Sequence, residues 1–249
     1  MVTITTTTSG HVGLLRLRAE LRAGRTVVVE AAGHIPYAAR SVPAADGWAR
    51  VVLVQTIAGP LAGDMTTVDI EIGDGARLEV TTNAATLAYP SATPAWHELK
   101  AEVGADARFA WSPGPLILSA GCDLVSTVEI DLADRAAALT REVVVLGRHG
   151  EEPGGYRGRI RFESRQRALL HDAIDLDARG VAKASPAVLA GANVFGSLAL
   201  VGIDPEAAPG PGELDLAVPG RVLRVLAPDT ASLEGTISPV EAGYRQALA

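Results

Sequence analysis

The chain has 249 residues, 22 of them basic and 29 acidic, for a formal net charge of −7. That balance argues against a general nucleic-acid or anionic-membrane binder. Apolar residues make up 48% and aromatic residues only 4%, so Ala, Val and Leu must build the core. One cysteine, Cys122, excludes an intrachain disulfide and a zinc site built on several cysteines.

No stretch approaches the roughly 18 consecutive apolar residues of a membrane span. The start, Met1 to Ile4 followed by a threonine run, has neither a basic nor an apolar signal region and reads as a frayed end. A reducing, cytoplasmic compartment is the expectation.

Alternating strands dominate the chain. Gln55 and Thr56 end one strand. A tight turn, Gly59-Pro60-Leu61-Ala62-Gly63-Asp64, leads toward Val68. Val68, Ile70 and Ile72 alternate with acids, and Leu78 and Val80 follow beyond Gly73-Asp74-Gly75-Ala76. The simplest expectation is a β-hairpin with one buried face. The unit returns as Leu99 to Val103, the turn at Gly104 and Arg108 to Trp111. It returns again as Val128 to Leu132, the turn at Ala133 and a strand toward Val143 and Val145. The turns lie 31 and 29 residues apart, a weak repeat that predicts stacked strand pairs.

After residue 150, arginines 157, 159, 161, 165 and 167 alternate with or flank Ile160 and Phe162. They predict a wet face, or contacts to phosphate or an acidic partner. Leu170, Ile174 and Leu176 mark another strand, and Val194 to Val201 a buried one. Residues 202–220, rich in Pro and Gly, predict a surface loop, and Arg221 to Leu226 a short strand. Val240 to Leu248 predicts a terminal helix with Pro239 near its first turn, and Ser185 to Ala190 a second helix. The expected fold is mainly β, an elongated stack of strands in a helical or two-layer arrangement, with one or two helices, over a single domain of residues 1–249.

Nucleotide-binding glycine motifs and the GxSxG elbow are absent, and none of the five histidines lies within five residues of another. His149, among glycines beside Glu151 and Glu152, is the histidine most open to a metal. Cys122 reads as a buried, inert thiol. His171, Asp172, Asp175 and Asp177 read either as acid–base groups of a small hydrolase or as a solvated strand edge. Asp64 reads either as a carboxylate held toward a cavity or as the cap of its own turn.

Four stretches in order resemble the urease accessory protein UreD (UreH) family. Gly59 to Asp64 is similar to its glycine-rich GGLVGGD loop, with Pro60 and Ala62 where glycines are usual. Leu78 to Thr86, containing Thr81 and Thr82, resembles its LTTQAATK segment, with Tyr89 at the following tyrosine. Trp111 to Ile117 resembles its YLPQPLIPF stretch, and Gly147, Arg148 and Glu151 its GR-then-GE motif. Together they cover roughly residues 50–180.

The resemblance implies a non-enzymatic scaffold with a stacked β-fold. Such proteins join UreF and the GTPase UreG, dock on the urease apoprotein and support nickel delivery. It implies nickel(II) in transit rather than a tightly bound cofactor, with Asp64 matching the loop aspartate of an interior route. Weak, scattered oxygen donors suit release and onward passage of the ion. A β-rich binding module without a metal role is the remaining alternative.

Overall fold

The computed structural model describes residues 10–33, 35–44, 46–176 and 185–249. The threonine run, His34 and Asp177 lie outside them. Two sheets face each other. The first orders its strands β14 (Arg167–Leu176), β13 (Gly155–Ser164), β11 (Asp123–Leu132), β8 (Ala95–Val103), β5 (Met65–Ile72), β1 (Val12–Arg22) and β2 (Arg25–Ala32). The second runs β16 (Glu213–Asp215), β17 (Gly220–Ala227), β15 (Val194–Val201), β12 (Ala137–Val145), β9 (Arg108–Ser112), β6 (Arg77–Thr82), β4 (Ala49–Gln55) and β3 (Tyr37–Val42). Short strands β7 (Thr86–Ala88) and β10 (Leu116–Leu118) pair at its flank.

The repeat is real, but its unit is not a hairpin. β5 and β6 lie in different sheets, as do β8 and β9, and β11 and β12. Each turn is a corner that carries the chain from one sheet to the other. Neighbouring units pair in parallel, with Ile72 against Val103 and Val103 against Leu132. Alternation cannot separate the two arrangements, because a hairpin and a corner bury the same phase of residues. A regular 30-residue spacing can, since a parallel neighbour needs a full coil to return. The corners also bond to one another: the Gly104 N–H donates to the Ile72 carbonyl (2.7 Å) and the Ala133 N–H to that of Val103 (2.9 Å). A Cβ at Gly104 would stand 2.7 Å from the Asp74 backbone nitrogen and 2.8 Å from the Ile72 carbonyl oxygen, so the stack needs a glycine there. True hairpins occur toward the ends of the stack, β1–β2, β3–β4 and β13–β14.

The core lies between the sheets. Leu15, Leu17, Val68, Ile70, Leu99, Ile130 and Phe162 face Leu53, Leu78, Val80 and Phe109. This is the mainly aliphatic interior that the composition requires.

One helix, α1 (Thr230–Leu248), closes the outer face of the second sheet among the described residues. Asp229 caps it by accepting from the Ser232 N–H (2.7 Å). Its buried stripe is Leu233, Ile237, Tyr244 and Leu248. The helix begins ten residues before the expected Val240, and Pro239 lies inside it, not in its first turn. Pro239 costs one internal hydrogen bond. The buried stripe packs on Leu139, Leu198, Leu200 and Leu223 and outweighs that loss. Residues 185–190 form a turn in which the N–H groups of Val188, Leu189 and Ala190 all converge on the Ser185 carbonyl, not a helix. The 202–220 segment is a loop interrupted by β16. No described helix is long and apolar enough to cross a membrane.

Candidate functional site

The four resembling stretches stack at the end of the molecule opposite the corners. The Tyr89 N–H donates to the Pro60 carbonyl (3.1 Å), that of Gly114 to Thr82 Oγ1 (2.9 Å) and that of Thr86 to the Pro115 carbonyl (2.8 Å). Thr81 Oγ1 donates to the Ser112 carbonyl (2.7 Å), and Leu116 pairs with Val144. Loop therefore rests on loop, coil after coil.

Asp64 is 6% exposed and caps its own turn. Its Oδ2 accepts the Leu61 N–H (2.8 Å) and its Oδ1 the His11 N–H (2.8 Å). Its carbonyl accepts the Trp96 N–H (2.7 Å). Gly63 holds φ +73°, the left-handed region, and Gly59 φ +149°. A Cβ at Gly59 would approach Asp64 Oδ2 to 3.1 Å. Gly147, at φ +88°, begins the loop that Arg148 and Glu151 close. Arg148 Nε donates to Glu151 Oε1 (2.9 Å), and this pairing holds the half-buried Glu151 carboxyl at about 2. Glu151 Oε2 also accepts the Ala120 N–H (3.3 Å). Glu151 thus ties two loops together, and His149 points to solvent.

Behind these loops, between the sheets, lies a cavity of about 70 Å³. Pro60, Thr82 and Thr86 reach it from the first two expected stretches and Trp111, Pro113 and Leu116 from the third, and Asp64 is not among its walls. Its polar walls from elsewhere are Tyr37, His97, Ser126, Thr140, Arg141 and Glu142. Parallel register makes one inner rung of Thr66, His97 and Ser126 on adjacent strands. Glu142 and Ser197 pair across β12 and β15, with Arg224 beside Ser197 on β17.

Burial pushes His97 down to about 4, so its imidazole is neutral at pH 7. Its Nε2 has no protein partner, and its ring meets Tyr37 edge-on at 5.9 Å. Burial pushes the Glu142 carboxyl up, opposed by the hydrogen bond from Tyr156 Oη (2.5 Å). Thr140 Oγ1 and Ser197 Oγ also lack protein partners. His97, Thr140 and Glu142 have the cavity beside them, and about 70 Å³ accommodates several waters at the roughly 10–15 Å³ each needs by this measure. His97 and Glu142 supply a nitrogen and an oxygen donor that suit a borderline divalent ion.

Sequence reading missed His97, Ser126 and Glu142. Their signal was available: each is a polar residue at the core phase of its strand, His97 in step with Leu99 and Ala101, Glu142 with Ala138 and Val144.

Strand β14 does not bring the hydrolase residues together. His171 and Asp175 point outward, about 13 Å apart along the strand. Asp172 points inward and pairs with Arg224. The arginines of β13 lie on a wet face: Arg157 pairs with Asp123 (2.8 Å), Arg161 with Glu163, and Arg159 donates to the Gly158 carbonyl (3.1 Å). Cys122 is buried as expected, and desolvation pushes its thiol up to about 11, which disfavours the reactive thiolate.

A family model described as UreD urease accessory protein matches residues 11–249. The urease accessory protein UreD of Streptomyces coelicolor is 36% identical over 222 residues, 84% of this chain and 87% of that protein. A UreD of Streptomyces griseus is 34% identical over 191 residues, 76% and 74% of the two chains. That of a Parafrankia strain is 34% identical over 250 residues, covering 87% and 83%. With the resemblance extended over the strands, the cavity and the closing helix, the chain belongs to the UreD family of urease accessory proteins.

Proposed function

We propose that this chain is a non-catalytic, cytoplasmic scaffold that joins UreF and the GTPase UreG on apo-urease and lets nickel(II) pass through its interior. Family membership gives the chain a role in urease maturation. The observation that carries the finer reading is the polar rung inside an otherwise aliphatic core. Unpaired buried polar groups cost stability, so a cavity lined by His97 on this rung and Thr140 on the facing sheet, both without protein partners, with Glu142 beside them, calls for an occupant.

Nickel is the cargo here, not a resident group. A neutral imidazole offers Nε2 without first losing a proton, whereas Glu142 must give one up as the ion arrives. A single nitrogen and a single carboxylate bind weakly, which favours onward release. Asp64, with both oxygens already accepting N–H groups, acts as the fixed rim of the entrance loop, and Pro60 beside it reaches the cavity.

The test is complementation of a cell lacking the chain's gene. The wild-type chain should co-purify with UreF, UreG and urease and restore nickel to the enzyme. His97→Leu should leave the complex intact and lower the nickel content of the purified urease. Full nickel loading by His97→Leu and Glu142→Gln together would sink the interior route. Failure of the wild-type chain to join any of the three partners would sink the scaffold.

A further inference from the structure

The two outer faces of the molecule are unlike. The second sheet is covered by α1, whose apolar stripe is bordered by ion pairs from Arg141 to Glu234 and Glu241 and from Arg245 to Glu79. No described element covers the first sheet in this way.

That bare face has an ordered pattern across strands β1, β5, β8, β11 and β13. At the loop end, Val12, Met65, Trp96 and Val125 are register neighbours, with Leu14 one step further along β1. Val12 is 81% exposed, Met65 51%, Leu14 44% and Trp96 40%, a contiguous apolar patch that includes the residue types enriched at interfaces. Beyond the row that Leu14 shares with Thr67, Glu98, Thr127 and Arg159 comes one of alternating sign, Arg16, Asp69, Lys100, Glu129 and Arg161. At the corner end the row opens with Arg18 on β1 and continues as four acids, Glu71, Glu102, Asp131 and Glu163. Adjacent strands lie about 4.8 Å apart, so like charges stand side by side, an unfavourable arrangement that the preceding row avoids. Among the described residues Glu71, Glu102 and Asp131 make no ion pair.

We propose that this face docks one amphipathic helix of a partner protein, with apolar side chains over Val12, Met65 and Trp96 and Lys or Arg side chains over the acidic row. Six residues of strand separate the apolar from the acidic row, about 20 Å, which about 13 residues of helix span. The basic residues fall in the last turns of that helix if it runs with the strands, where its dipole also favours cations. The arrangement repeats in trans what α1 does in cis: an apolar stripe on a sheet, fixed at its rim by ion pairs. It stands whether or not nickel passes through the cavity.

The test places the photo-crosslinker p-benzoylphenylalanine at Trp96, with Val42 on the other sheet as control, in cells expressing the urease subunits and accessory proteins. The expected adduct is a single segment of another protein with apolar residues at i, i+3, i+4 and i+7 and Lys or Arg toward its C-terminal end. Glu102→Lys with Asp131→Lys should cut the yield of that adduct by at least fivefold without lowering the melting temperature. Adducts to a second copy of this chain, to lipid or to segments without that pattern overturn the proposal, as does a yield at Trp96 no greater than at Val42. So does a yield that the charge reversals leave unchanged. Nickel loading of urease, read in the same cells, bears on the maturation reading alone.

Discussion

Two rungs of the same sheet, one residue pair apart, behave differently. Val68, Leu99, Val128 and Ile160 form an aliphatic rung continued by Leu15. The rung beside it, toward the loops, is Thr66, His97, Ser126 and Gly158. The strands and spacing are shared, and the change is in side-chain polarity. The first rung stabilises the coil stack. The second gives up apolar contact for polar side chains, one of which, His97, leaves its Nε2 unpaired, a departure from core patterning of the kind found at functional sites.

The largest effect that separates the halves is truncation in the dry one. Phe109 is fully buried in the aliphatic core and should cost about 3–5 kcal/mol as Phe109→Ala, read by urea denaturation. His97→Leu should cost far less at neutral pH, because it removes an unsatisfied nitrogen along with the ring. Equal losses from the two would erase the distinction.

The second effect is pH. His97 has a folded-state value of about 4 against 6.5 for the free side chain. Between these values the unfolded chain binds the proton and the folded chain does not, so stability rises with pH and falls as pH drops from 6.5 toward 4. The full loss is about 3 kcal/mol at 1.36 kcal/mol per pKa unit, with about 2 kcal/mol of it gone by pH 5. In His97→Leu this component should vanish, which a comparison of denaturation midpoints at pH 7 and pH 5 reads directly. Glu142 works in the opposite sense. Its raised value makes the folded state hold a proton that the unfolded state releases, so its contribution falls as pH rises above the ordinary carboxyl range.

The rungs also explain what is legible in the sequence. The alternation of Val68, Ile70 and Ile72 and the turns at 73, 104 and 133 reveal strands and a repeat, because both are local and periodic. Whether Gly73 to Ala76 closes a hairpin or turns a corner is not local. It depends on Ile72 meeting Val103, a coil away. The start of α1 is misread for a related reason. A proline in the first turn of a helix is a local rule, and Pro239 points to a start near Val240. The packing of Leu233 on the second sheet carries the helix ten residues further back. The site is half legible. Motif resemblance finds Gly59, Gly63 and Asp64 in the loop, whereas His97 and Glu142 carry no motif and show only as polar residues out of character with their strand phase.

The smallest effect concerns the loop that borders the polar half. Asp64 holds its turn through two N–H groups, that of Leu61 and that of His11, the latter 53 residues away in sequence. Asp64→Ala leaves both donors without their partner and should cost about 2 kcal/mol, roughly one for each lost hydrogen bond. Asp64→Asn keeps one carbonyl oxygen as an acceptor and should recover about half of that. If instead the carboxylate serves nickel passage alone, Asp64→Ala will unfold at the same urea concentration as the wild type while nickel loading falls. If it serves the turn alone, stability will fall and nickel loading, measured at a temperature where the variant is folded, will not. A fall in both, with Asp64→Asn restoring stability more than loading, is the outcome expected of a side chain that holds the entrance loop in place and also presents its charge there.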